Sequence, residues 1–267
     1  MSAIPTPGPG SVFWELNSDL LVMLAGGRAL LMQIAHPAVA RGVALHSDFR
    51  HHPLRRLYRT MSLTGKLAFH DADTRRRAAT GINRAHAAVR GPGYSALDPK
   101  LQLWVHATLI DSALVAREQF YRPLDADKAQ AFYRESIRLG PLLGIPLAAY
   151  PADLMSFRAY VESMLAQEAV PGPVAIELAA SLLHPMPKLP ARLFRPVNEI
   201  TSGLLPDPLR AAYGLPPPGV WYRMARAWLP VVRRLVPDPL WETPMARSGR
   251  RRRRMEARTA GRELERI

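Results

Sequence analysis

The chain has 267 residues, 48% of them hydrophobic, and a formal charge of +14, enough length and apolar content to bury a full core as one domain. It has no cysteine, which excludes disulfides, thiolate zinc and iron–sulfur sites, a cysteine nucleophile and covalent haem attachment. Any metal must therefore rest on histidine or carboxylate, and any haem must be held without a covalent bond.

Residues 1–10 are rich in proline and glycine and lack the basic and apolar regions of a signal peptide, so residues 1–17 are expected to be a flexible N-terminus and the protein cytoplasmic. Asn17 or Ser18 can cap a helix beginning at Asp19, with Leu20, Met23, Leu24, Leu30, Leu31 and Ile34 as its apolar surface. Gly26 and Gly27 weaken such a helix unless close packing or a ligand needs the space. The apolar run Leu20 to Ala40 is broken by Gly26-Gly27-Arg28 and His36, which argues for a buried helix over a membrane span. Pro37 opens the next helix at its first turn, leaving His36 at the junction as a capping, core or cofactor-lining histidine.

His46, His51 and His52 follow in a polar segment without the spacing of a zinc pair. Pro53 starts a helix to about Phe69 on which Arg56 and Thr60, four apart, share a face. Asp71 or Asp73 caps the next helix, where Ala79, Ile82, His86 and Val89 draw one stripe up to Gly91. After Gly91-Pro92-Gly93 a longer helix runs from about Lys100 to Phe120, with Leu103, His106, Ile110 and Leu114 inward. Further helices are expected from Asp125 to Leu139, from Pro151 to about Gln167 and from Pro173 to His184, then proline-punctuated helical segments to Leu240. No alternating run is long enough for a sheet. The expected fold is all-α, one multi-helix domain over residues 18–240.

Residues 247–267 hold nine arginines against three glutamates, so this stretch carries +6 of the +14. With few sizeable apolar residues, the tail from 241 on is expected to be disordered or a detached helix, its partner an anionic membrane surface bound in a salt-sensitive way. No nucleic-acid fold signature accompanies the charge, and 32 arginines beside four lysines fit a compositional bias, so nucleic acid is not the expected partner.

A neutral imidazole can be the single axial ligand of a haem, a role open to His86 or His106, and an arginine in such a pocket needs an anion such as a propionate or bound oxygen. An inward histidine with a hydrogen-bond partner can equally be a core residue. There is no G-x-S-x-G, no G-x-G-x-x-G and no Glu-x-x-His pair, and Ser62-Leu63-Thr64-Gly65-Lys66 lacks the leading glycine of a P-loop.

Seven short motifs occur in order: Gly27-Arg28-Ala29-Leu30-Leu31, Gln33-Ile34-Ala35-His36-Pro37, Arg56-Leu57-Tyr58-Arg59-Thr60, His86-Ala87-Ala88-Val89-Arg90-Gly91, Tyr94-Ser95-Ala96, Trp104-Val105-His106-Ala107-Thr108 and Leu143-Gly144-Ile145-Pro146. In this order they resemble the MpaB and latex-clearing-protein oxygenase family. The resemblance implies an all-α, globin-like haem b protein of a family whose better-known members cleave carbon–carbon double bonds of isoprenoid chains with dioxygen. It implies His86 as the iron ligand, with Arg56, Thr60 and Arg59 near the oxygen or the propionates and His36 and His106 as further cofactor-lining candidates. Rubber-cleaving members carry a lysine that can reach the iron where this chain has Arg59, which stays protonated and is a poor ligand. The expected function is a haem b-dependent oxygenase acting on an apolar, isoprenoid-like substrate; the alternative is a haem-binding or sensing protein, or a helical scaffold whose histidines are structural.

Overall fold

The computed structural model describes residues 7–47 and 53–264, the side chains of residues 53, 54, 56, 57, 254 and 256–264 excepted. Among the described residues, serine or aspartate caps start six of the helices. Ser11 caps α1 (Val12–Ser18) and Asp19 caps α2 (Leu20–Met23), their side-chain oxygens accepting from Trp14 N and Leu21 N. Helix α3 (Gly26–Ala35) ends at His36, where the chain bends by 103° between residues 20–35 and α4 (Pro37–His46). Helices α5 (Pro53–Phe69) and α6 (Ala72–Ala87) follow, the second capped by Asp71. A two-residue hairpin pairs Arg90–Gly91 with Tyr94–Ser95, its turn served by Gly93 at φ 75°. Then come α7 (Pro99–Phe120), capped by Asp98, α8 (Ala126–Ile137), capped by Asp125, and 3-10 turns at Gly140–Leu143 and Leu147–Ala149. The rest is α9 (Leu154–Gln167), α10 (Pro173–Leu183), α11 (Arg195–Leu204), α12 (Asp207–Ala212), α13 (Val220–Leu235), α14 (Asp238–Trp241) and α15 (Pro244–Leu264). The fold is all-α apart from that hairpin and one isolated bridge between Asp19 and Glu242.

The core is built on α3 and α7. Leu31, Met32, Ile34 and Ala35 join Trp104, Ala107 and Ile110 in one buried cluster, to which α1, α8, α9 and α10 add Trp14, Phe132, Phe157 and Leu178. Deep between α3, α7 and α11, Arg28 donates to Asp111 Oδ2 at 2.6 Å, to Ser112 Oγ at 2.7 Å and to the Leu204 carbonyl at 2.8 Å. Gly27 lets α11 come close: a Cβ there would stand 2.5 Å from the Thr201 hydroxyl, so close packing is the reason for this glycine.

Two expectations about the chain ends are corrected. Residues 12–18 are helical, and Phe13, Trp14 and Leu16 are buried in the core, so the folded part starts well before residue 18. The basic tail, expected to be detached from 241 on, is helical as far as Leu264, and its first turns dock. Thr243 and Ala246 are buried, a Cβ on Gly65 would collide with Met245, and one on Gly249 would collide with the Phe69 carbonyl. Arg250 pairs with Glu242 at 2.9 Å, Arg252 with Asp71 at 3.5 Å, and the Arg253 guanidinium sits 5.3 Å from the Trp14 ring centre. Glycines on both sides of the α5–α15 contact do what large apolar residues do elsewhere, so low apolar content did not keep this helix off the body. No single helix among the described residues is long and apolar enough to cross a membrane.

Candidate functional site

Helices α5 and α6, joined by His70 and Asp71 alone and packed on each other, form a helical hairpin. In such a hairpin, residues equally far from the turn lie at one level. Arg56 precedes His70 by fourteen residues and His86 follows Asp71 by fifteen, so both lie about 21–23 Å along their helices from the turn, with Thr60 one helical turn nearer. The motif positions of the two helices thus lie towards the open end of one hairpin, Arg56 and His86 at about the same level. The Arg56 side chain lies outside the described residues, as do His51 and His52.

The closed end of the hairpin is stitched. Arg75, 3% exposed, donates from Nε to the Leu67 carbonyl at 2.6 Å and reaches the Ala68 carbonyl at 3.4 Å, closing the last turn of α5. Burial pulls its pKa down to about 10, so it still carries its charge at neutral pH. Hydrogen bonds from Thr74, first its backbone N–H, hold the Asp71 carboxyl well below the usual range. Leu67, Ala78 and Ala79, with Ile82, Leu142 and Leu143 beside them, make the apolar seam.

Towards the open end the seam becomes polar. Asn83 Nδ2 donates to the Leu142 carbonyl at 3.0 Å, while its Oδ1 is buried without a hydrogen-bond donor. His86, half-buried, follows one turn later on the same stripe. The small hairpin holds the end of α6 against α4: Val89 and Tyr94 approach Gly42, Tyr94 Oη meets His46 Nε2 at 3.0 Å, and the Arg41 guanidinium lies 5.7 Å from the Tyr94 ring centre. On α5, Thr60 is half-buried and Arg59 exposed. A shallow groove lined by Asp73, Arg76, Arg77, Thr80 and Arg84 runs along the opposite face of α6 and takes no part in this arrangement.

The other two candidate histidines have identifiable partners. His36 caps α4, its Nδ1 accepting from Ala38 N at 3.2 Å with Nε2 3.6 Å from Glu168. His106 is buried, its Nδ1 2.6 Å from the Oη of Tyr150, which clusters with Leu103 and Ile145, and burial pushes the His106 pKa down to about 4. Leu143 touches both this cluster and the α6 seam, so His106 lies one layer behind α6. Nothing in residues 99–120 signals Tyr150 as its partner, because the two are 44 residues apart.

A protein-bound ion needs several ligands, and no three His, Asp or Glu side chains cluster among the described residues.

The fold is thus an all-helical domain in which a helical hairpin carrying histidine and arginine stands beside a packed core. Residues 14–236 match the family described as ER-bound oxygenase mpaB/B'/rubber oxygenase, catalytic domain, and the chain belongs to that family of oxygenases. An oxygenase of this family takes a small-molecule substrate and dioxygen. Two uncharacterised proteins, one of Mycobacterium bovis and one of Mycobacterium tuberculosis, are each 30% identical to it over 234 residues, covering 82% of this chain and 91% of their own length. No solved structure matches it.

Proposed function

We propose that this protein is a haem b-dependent oxygenase that acts on an apolar, isoprenoid-like substrate with dioxygen, in a globin-like arrangement. The observation that supports this reading is the α5–α6 hairpin, which brings the Arg56, Thr60 and His86 positions towards one end. When bound, the haem would supply the iron at which dioxygen is activated. His86 would hold that iron through one ring nitrogen, non-covalently. Arg56 would offset anionic charge, from a propionate or from oxygen as charge builds on it, because a guanidinium stays protonated in any such pocket. Thr60, one turn along the same helix, has a hydroxyl that can donate to the same region, and exposed Arg59 would stand at the rim. Lysine ligation of the iron has no counterpart here, since Arg59 occupies that motif position.

The test is spectroscopic first. Protein produced with adequate haem supply should show a Soret band and release its pigment into acidified organic solvent. His86→Ala should lose the band, while His106→Ala and His36→Ala should keep most of it per folded molecule. Oxygen uptake with an unsaturated isoprenoid such as squalene should then depend on Arg56 and Thr60. A colourless protein that fails to take up added haemin would overturn the reading, and so would a band that survives His86→Ala but not His106→Ala.

A further inference from the structure

Helix α13 carries two apolar faces, of which the fold uses one. Tyr222, Ala225 and Leu229 pack inward with Phe120 and Leu204, and Tyr222 Oη donates to Gln119 Oε1 at 3.0 Å. Arg233 turns inward too and donates to Asp19 at 2.9 Å and to Asp238 at 2.7 Å. The second face is Trp221, Met224, Trp228, Val231, Val232 and Leu235, at helical spacing along the same sixteen residues. All six are exposed, Trp228 to 62% and Leu235 to 77%. Scattered exposed apolar residues are ordinary, but a stripe four turns long on one rigidly anchored helix is not.

What would cover this face is decided by the charges beside it. Helix α13 contains four arginines and no acidic residue; with Arg233 paired inward, Arg223, Arg226 and Arg234 remain exposed along the edge. A second copy seated face to face would set these arginines against their own duplicates, a like-charge contact that costs association. An anionic lipid surface complements both halves of the pattern. Its headgroups meet the guanidinium groups, and its acyl boundary takes up tryptophan, methionine and leucine side chains. Tryptophan is also the side chain that gains most at such a boundary, having an apolar body and a polar N–H.

We propose that the outer face of α13 is a membrane-docking surface, by which the folded protein lies on an anionic bilayer without crossing it. This is a different element from the basic tail. Adsorption through the tail is electrostatic and should vanish as salt rises, whereas α13 docking keeps its hydrophobic part.

The full-length protein is mixed with vesicles of phosphatidylcholine alone or with phosphatidylglycerol, at low and raised salt, and sedimented. Expected are binding to the anionic vesicles that is weakened but not abolished by salt, and a blue shift of tryptophan emission. Lipids brominated in their acyl chains should quench that emission, and the quenching should fall in Trp228→Phe and Trp221→Phe. Combined Trp228→Ser and Leu235→Ser should reduce binding about tenfold or more with an unchanged circular dichroism melt, since both side chains are exposed in the folded state. Replacing Arg223, Arg226 and Arg234 by glutamine should reduce binding to anionic vesicles specifically. The proposal is overturned if the serine variant binds as wild type, if no vesicle is bound at raised salt, or if the stripe instead drives a concentration-dependent dimer that the serine variant abolishes.

Discussion

The α3–α7 pair and the α5–α6 hairpin are both helix pairs furnished with arginine and histidine, yet they treat these residues in opposite ways. In the core pair, Arg28 is enclosed and fully paired with Asp111, Ser112 and the Leu204 carbonyl, and His106 is locked to Tyr150. In the hairpin the buried apolar seam among the described residues is Leu67, Ala78 and Ala79 with a few half-buried neighbours, and His86 is half-buried beyond it. Regions with few buried contacts are the ones that open locally and can admit a ligand. The lesson is that Arg28 and His106, although part of those motifs, are enclosed and hydrogen-bonded in the core, while Thr60 and His86 are half-buried at its margin.

The strongest way to break this comparison is Arg28→Ala. It would leave the Asp111 carboxylate facing a buried void, and urea unfolding should show a loss of about 3–5 kcal/mol, whereas His86→Ala should cost under about 1 kcal/mol. If Arg28→Ala is tolerated, the core pair is not the stable half.

The second effect is a pH dependence. Burial lowers the His106 pKa from 6.5 to about 4, so the folded protein favours the neutral ring while the unfolded chain takes up a proton near 6.5. Stability from this group is therefore fully present above pH 6.5 and is lost as pH falls towards 4, by up to about 3 kcal/mol in all. His70, also shifted down by burial and by Arg252, acts in the same direction. Melting temperatures between pH 7 and pH 4.5 should fall, and His106→Gln, less stable at pH 7, should fall with a visibly smaller slope.

The smallest effect concerns the closed end of the hairpin. Truncation after Ser248 removes the Arg250–Glu242 and Arg252–Asp71 pairs and the Arg253 contacts, all partly exposed. The loss should be about 1–2 kcal/mol, a fall of a few degrees in melting temperature, with haem content unchanged. An unchanged melt would mean that α15 rests on the body without stabilising it.

Much of the helix layout was legible because capping and proline chemistry are local. Pro53 and Asp71 bound α5 and α6 where the residue types put them, Asp125 starts α8, and Pro173 starts α10. Near the N-terminus the signal was weaker. The prolines before Ser11 read as a flexible arm, although Val12, Phe13 and Leu16 after a serine are a short amphipathic pattern that could have revealed α1. The equal distances of Arg56 and His86 from a two-residue turn were also countable in the sequence.

Local chemistry, then, determined by itself that this chain is helical, where most helices begin, that it has no thiol chemistry, and which motif residues share a helix face. Only the tertiary structure decided which polar residues are consumed by packing and which apolar ones are left over. His86 and His106 both occupy inward stripes, yet His86 is half-buried whereas His106 is buried and holds Tyr150, brought 2.6 Å from it by a 3-10 turn far along the chain. Tyr222 and Trp221 are neighbours in sequence, yet one is 6% and the other 42% exposed because α7 and α11 cover a single side of α13. Partners for buried groups come from distant segments, and periodicity shows that a face is apolar without showing whether anything covers it.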